Sequence, residues 1–205
     1  MASVRPLHRE PAPEAPALHA RAMDNLAFIR DTMEKAGSFT AVSGWGMVAV
    51  GVIATVAATI ASSQHSVLRS IYVWMAAAVL APTVSAWAIV RKARRAHMPL
   101  LSGPGRKFIL SFSPPMLVGA LLTVVLYRAG LVDAIPGTWL LLYGTAVVTG
   151  GAFSVRLIPV MGICFMLAGT LALFTPQTWN DWIMAAAFGG LHIAFGIPIA
   201  RRHGG

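Results

Sequence analysis

The sequence predicts an all-α, polytopic transmembrane helix bundle of about six spans, and three observations predict it. Six apolar stretches are each long enough to cross a hydrocarbon core of about 30 Å, which takes about 20 helical residues. Charged residues make up 11% of the 205 and apolar residues 57%, with a mean hydropathy of +0.69; a soluble domain has about a quarter of its residues charged. The acids are also in the wrong places for a soluble surface. Glu10, Glu14, Asp24, Asp31 and Glu34 precede Gly44, leaving Asp133 and Asp181 for everything after it. Lipid is the solvent such a chain requires.

The N-terminus is a different kind of sequence. Residues 1–22 are rich in Pro, Ala, His and Arg, and Pro6, Pro11, Pro13 and Pro16 oppose helix, so they read as a disordered cytoplasmic tail. From Met23 the spacing turns helical. Ala22, Leu26, Ile29, Met33 and Ala36 recur at steps of 4, 3, 4 and 3, one face of an amphipathic interfacial helix over residues 23–37. Arg30 with Glu34, and Asp31 with Lys35, are i,i+4 pairs on the other side, and Gly37 suits a C-cap. Asp24, Arg30, Asp31, Glu34 and Lys35 sum to −1, so attraction to anionic lipid is not the design. The face of Leu26, Ile29 and Met33 reads either as a lead-in packed on its own bundle or as a docking surface for a partner.

The membrane domain covers residues 44–200, and residues 201–205 form a short C-terminal end. Gly44–Ser62, Ile71–Val90, Phe108–Tyr127, Thr138–Val155, Leu157–Thr175 and Trp182–Ala200 are the predicted spans. Pro82 lies inside the second, and Pro114-Pro115 predicts a kink in the third or a start at Ser113. Almost no loop separates the fourth from the fifth, so Gly150-Gly151 or Arg156-Leu157-Ile158-Pro159 has to turn tightly, with Pro159 suited to the first helical position. No apolar h-region precedes the first span, which would serve as an uncleaved anchor.

Lysine and arginine counts orient the bundle. One side receives Arg5, Arg9, Arg21, Arg30 and Lys35 from the tail, and Arg91, Lys92, Arg94, Arg95, Arg106 and Lys107 from the second loop. Arg156, Arg201 and Arg202 join them, against Arg69 and Arg128 on the other side: 14 against 2. Both termini are expected in the cytoplasm. Arginine outnumbers lysine and alanine is abundant, which points to a bacterial inner membrane. Trp45, Trp74, Trp139, Trp179 and Trp182 fall at predicted span ends, where amphipathic rings prefer to sit.

Glycines recur seven apart on three spans: Gly44 and Gly51, Gly162 and Gly169, Gly189 and Gly196. Seven residues are two turns, so each pair shares a face that lets another helix approach closely, within one chain or between copies. Met75-Ala-Ala-Ala78 also resembles Met184-Ala-Ala-Ala187, which suggests a tandem repeat of helical hairpins.

An ionisable residue inside a span is a functional candidate by default, and the drawn spans contain one, His192. At about 1.5 Å per residue from Trp182 it lies roughly 15 Å deep. Thr145, Thr149 and Thr83 fall at similar depth and could share a hydrogen bond with it. The site reads as a protonatable group in a polar relay or as a neutral histidine holding helices together.

Other chemistries fail on their residues. A rhomboid-type protease needs a Gly-x-Ser-Gly serine, whereas this chain has Gly150-Gly151-Ala152-Phe153-Ser154, with Ser154 about 10 Å away in depth from His192; nucleophile and base must lie within about 3 Å. Haem would need paired axial ligands, and Cys164 with one span histidine makes no metal site, so no cofactor is expected. Leu101-Ser-Gly-Pro-Gly-Arg-Lys107 lacks phosphate-loop spacing and reads as a flexible loop. The basic residues form no nucleic-acid module; Arg91-Lys92-Ala93-Arg94-Arg95 orients the chain and secondarily suits anionic headgroups.

Gly162 to Gly169, followed by Leu171-Ala-Leu-Phe-Thr-Pro176 and a glycine-bearing helix ending in Arg201-Arg202, resembles hairpins of the HdeD-like acid-resistance membrane proteins. The resemblance covers the last 45 residues or so. It implies an inner-membrane helical bundle active in envelope stress, and it carries over no catalytic residue. The expected function is therefore non-enzymatic, through a protein or lipid partner or a second copy of the chain. The competing expectation is a small transporter or channel for a neutral solute or proton, with His192 in its path.

Overall fold

The structure is a computed structural model and describes residues 15–36, 42–95, 103–152 and 154–203. The chain divides into two units, Met1–Gly37 and Ser38–Gly205.

In the first unit, α1 spans Ala15–Ala36. It begins eight residues before the start at Met23 that the spacing predicts, and so takes in part of the segment read as a disordered tail. Pro16 explains the difference. It occupies the first turn, where a backbone N–H has no intrahelical acceptor and its absence costs nothing. Residues 1–14, the cap position Gly37 and the side chains of the Arg30–Glu34 and Asp31–Lys35 pairs lie outside what is described.

The second unit is a multi-pass membrane bundle of α2 (Gly44–Ser62), α3 (Val67–Arg95), α4 (Gly103–Arg128), α5 (Ile135–Gly151) and α6 (Leu157–Phe174). A composite sixth span completes it: α7 (Asn180–Met184), a π-helical segment (Ala185–Leu191) and α8 (His192–His203). All six are long and apolar enough to cross a bilayer. Single 3₁₀ turns at Val132–Ala134 and Gln177–Trp179 lead into α5 and α7.

Several boundaries differ from expectation. The helix of α4 starts at Gly103 and runs through Pro114-Pro115, so the segment read as a flexible loop already forms its first turn, with residues 101–102 outside the described set. Helix also continues through Pro82 and Pro198. The turn between α5 and α6 is as tight as expected, with Ser154 N donating to the Gly151 carbonyl at 2.9 Å. Pro159 is the third residue of α6 rather than the first, still within the turn that needs no N–H.

Helix packing divides inner from outer spans. Of the apolar windows, 44% is buried in α2 and in the sixth span but only 11% in α3 and α4, so the latter two are peripheral. α2 packs on α3 and on the sixth span, while α5 packs on α4 and α6. The glycines set the closest of these contacts. A Cβ added at Gly51 would stand 2.8 Å from the Gly189 carbonyl oxygen, and one at Gly196 would stand 2.9 Å from that of Gly44. On the other side of the bundle, a Cβ at Gly144 would meet the Gly162 carbonyl oxygen at 2.7 Å, and one at Gly169 that of Gly137 at 2.9 Å.

The predicted glycine faces are thus used within one chain: those of α2 meet the sixth span, and those of α6 meet α5, where Gly137 and Gly144, also seven apart, give α5 a small-residue face of its own. Both contacts join antiparallel helices. In lipid no hydrophobic term drives helices together, so van der Waals contact between backbones carries the association.

Substitution separates contact from composition. Gly144→Ala inserts a methyl group against backbone that cannot move aside, and we expect a loss of about 1–3 kcal/mol. Gly190 has open space around its Cβ position, so Gly190→Ala should leave thermal melting in detergent unchanged or slightly raised.

Candidate functional site

His192 is the first residue of α8 and is 2% exposed. Its Nδ1 lies 2.8 Å from the Phe188 carbonyl oxygen and its Nε2 lies 2.7 Å from the Tyr143 hydroxyl. A carbonyl can only accept, so Nδ1 carries the proton. With the ring neutral, Nε2 is then the acceptor and Tyr143 O–H donates to it. Both ring nitrogens are satisfied by the protein itself.

Around this pair the rings of several spans converge. Tyr143 of α5 lies 4.8 Å from Phe165 of α6 and 5.2 Å from Phe188, centroid to centroid. Phe165 and Phe188 lie 5.3 and 6.3 Å from the imidazole. Phe112 of α4 meets Tyr143 edge-on at 6.0 Å, and Trp74 of α3 meets Phe188 at 6.0 Å. These separations are in the range where aromatic pairs attract beyond their area. Every span except α2 contributes a ring, and Phe165 at the centre is fully buried. The cluster sits beside the glycine contacts: Tyr143 precedes Gly144, Phe165 lies between Gly162 and Gly169, and Phe188 precedes Gly189.

The π-helical segment lies immediately before His192. A π turn takes in an extra residue, which re-phases the side chains after it. Gly189 on this turn faces Thr55 of α2, while Phe188 and His192 join the cluster with α5 and α6.

The threonines expected beside His192 are not brought to it. Thr83 and Thr145 donate to carbonyls of their own helices, Leu80 and Leu141, at 2.6 and 2.9 Å. The Thr149 hydroxyl, with one proton to give, lies 2.9 Å from its own Thr145 carbonyl oxygen and 3.0 Å from the Ser111 carbonyl oxygen of α4. Short hydroxyls reach their own helix first, which is why equal depth did not make them partners. The Ser111 carbonyl lacks its usual helical donor, because Pro115 stands four residues on and has no N–H, and the Thr149 hydroxyl is within reach to donate to it. The same logic places Thr123, 7% exposed, which accepts from Trp139 Nε1 at 2.7 Å and donates to the Gly119 carbonyl at 2.7 Å.

Tyr143 is the partner of His192 that the sequence reading missed. Its signal was position: tyrosine prefers the interface, and one placed mid-span has to find a partner for its hydroxyl. Two of the five tryptophans assigned to span ends also pack against other helices: Trp74 is buried, and Trp139 is half-buried and donates to Thr123. Of the expected docking face, Leu26, Ile29 and Met33 are all exposed on α1. Ser154 lies in the turn after α5.

No family model matches the chain, and no curated protein or solved structure matches it either.

Two double-mutant cycles test these assignments. Tyr143→Phe and His192→Leu, measured by unfolding in detergent, should show a coupling energy of about 0.6–2 kcal/mol, the range for hydrogen bonds between membrane helices. Thr149→Val should destabilise the protein, and the loss should vanish in a Pro115→Ala background, where the restored amide serves the Ser111 carbonyl.

Proposed function

We propose that the chain is a non-enzymatic, multi-pass protein of a bacterial inner membrane, with both termini cytoplasmic, that acts by docking a protein partner on α1. The observation that carries this reading is the exposure of Leu26, Ile29 and Met33, at 61, 51 and 70%. Three exposed apolar side chains at helical spacing on one face form a groove-filling surface of the kind amphipathic helices present. Over Ala15–Ala36 the charges cancel, with Arg21, Arg30 and Lys35 against Asp24, Asp31 and Glu34. A neutral helix gains no electrostatic attraction to an anionic bilayer, which favours protein over lipid as the partner. The resemblance of the C-terminal hairpin to acid-resistance membrane proteins is what supports a role in envelope stress.

The non-enzymatic part of the proposal rests on His192. A general base needs a free lone pair within reach of a substrate, and the imidazole nitrogens are both committed to Tyr143 and Phe188. A second reading, a small transporter or channel for a neutral solute or proton, is supported by the π-helical turn beside His192, since interrupted helices near the midplane are a feature of transporters. Under that reading His192→Ala should change solute or proton flux in proteoliposomes, and unchanged flux removes it.

The docking proposal is tested by purifying the tagged chain from its native membrane in mild detergent. We expect a stoichiometric protein partner with the unsubstituted chain, lost in L26S/I29S/M33S while the melting of the membrane bundle stays the same. A chain recovered alone, with the triple variant indistinguishable from it, contradicts the proposal.

A further inference from the structure

The third helix is longer than the hydrocarbon it crosses. The 29 residues of α3 rise about 43 Å, against a core of about 30 Å. With Ile71–Val90 spanning that core, Arg91 to Arg95 continue the helix into the headgroup layer. The opposite end of α3 is the acidic end of the bundle, where Val67, Ser70 and Ile71 line a cavity together with Asp133 and Asp181. No other Asp or Glu occurs in the second unit, and about 30 Å of helix separates Ile71 from Arg91, at 1.5 Å per residue. Arg91, Arg94 and Arg95 are exposed, and neither acid of the unit can reach them.

The exposed surface of α3 changes character along one line. Leu80, Trp87, Arg91 and Arg94 follow at steps of seven, four and three, so they share a side of the helix. All four are exposed. The line runs from aliphatic through aromatic to cationic, the order in which a phospholipid presents its chain, its interface and its phosphate. Two of these side chains are also in contact with each other. The Arg91 guanidinium carbon stands over the Trp87 ring, 5.2 Å from its centroid, which holds the cation directly above the interfacial ring. Lys92 is turned the other way: it is half-buried, and its Nζ donates to the Val42 carbonyl at 2.8 Å. That bond ties this end of α3 to the start of α2, so the arginines stand on an anchored helix end.

We propose that this line is a binding site for one anionic phospholipid, with the phosphate held by Arg91 and Arg94 and an acyl chain lying along Trp87 and Leu80. A guanidinium fork matches phosphate oxygens two at a time, and basic clusters beside a span are where anionic headgroups collect. A soluble phosphate would engage the arginines and leave the apolar half of the line without a role. Arg201 and Arg202 supply an internal comparison. They are exposed and lie at the same end, because α8 packs there against the start of α2, with Ala200 beside Gly44. One turn before them stand Ile197 and Pro198 rather than an exposed ring.

The test is native mass spectrometry of the full chain in detergent, titrated with phosphatidylglycerol and, separately, with phosphatidylcholine. One phosphatidylglycerol should be retained at about tenfold lower concentration than phosphatidylcholine, and R91Q/R94Q should remove that preference. R201Q/R202Q takes away the same charge at the same end and should keep it. All four side chains are exposed, so both variants keep the fold. Glycerol phosphate, the headgroup without its chains, should not displace the lipid. Equal retention of the two lipids, an unchanged preference in R91Q/R94Q, an equal loss in R201Q/R202Q, or displacement by glycerol phosphate overturns the proposal.

Discussion

Backbone-to-backbone contact at four glycine pairs is the constraint from which the rest of this bundle follows. Gly44 with Gly196 and Gly51 with Gly189 close α2 on the sixth span, and Gly137 with Gly169 and Gly144 with Gly162 close α5 on α6. Each contact places a carbonyl oxygen where any side chain would have to stand. Within a bilayer, apolar surface gains nothing by leaving lipid for protein, so dense packing between smooth helix faces is what distinguishes one arrangement from another. Two such closures define two helix pairs, with α3 and α4 added at the periphery.

What joins the pairs is of a different chemical kind. The interior between them is filled by rings, and the hydrogen-bonded Tyr143 and His192 are the polar groups at its centre. A buried imidazole is tolerable only when both nitrogens are satisfied, and the arrangement meets that demand from two directions: a carbonyl of the same span and a hydroxyl from across the interface. The π-helical turn reconciles two requirements on one span. It turns Gly189 toward α2 while Phe188 and His192 serve the opposite side. Elsewhere the Thr149 hydroxyl lies within reach of the Ser111 carbonyl, which Pro115 leaves without its helical N–H.

The sequence reveals the spans because the apolar runs are long and the few acids are segregated; Gly44–Ser62 is read to the residue. Glycine spacing reveals which faces pack closely, but not which faces meet, since a face of Gly and Ala is complementary to any other such face. Gly137 and Gly144 were the missing half of that problem. His192 stands out as the one ionisable residue in the drawn spans, whereas its partner does not, because depth alone ranks Thr145, Thr149 and Tyr143 together. The hydroxyl that reaches across is the one on a rigid ring too long to bend back to its own helix. The π-helical turn has no signal in Ala185-Ala-Ala-Phe-Gly-Gly190, and the proline positions that suggested interruptions proved compatible with continuous helix. At the N-terminus, the same proline that argued for disorder at Pro16 is accommodated by the first turn of α1.

The glycine contacts can be observed directly in a bilayer. Solid-state NMR of the chain labelled with ¹³C at glycine, diluted into unlabelled chain and reconstituted in lipid, reports which glycines lie in contact and whether they belong to one molecule. The packing described here requires correlations between Gly51 and Gly189 and between Gly144 and Gly162 that survive dilution. Correlations of these glycines to lipid acyl chains alone, or cross-peaks that disappear on dilution, would show that the faces meet lipid or another copy, and the account of the bundle would be wrong.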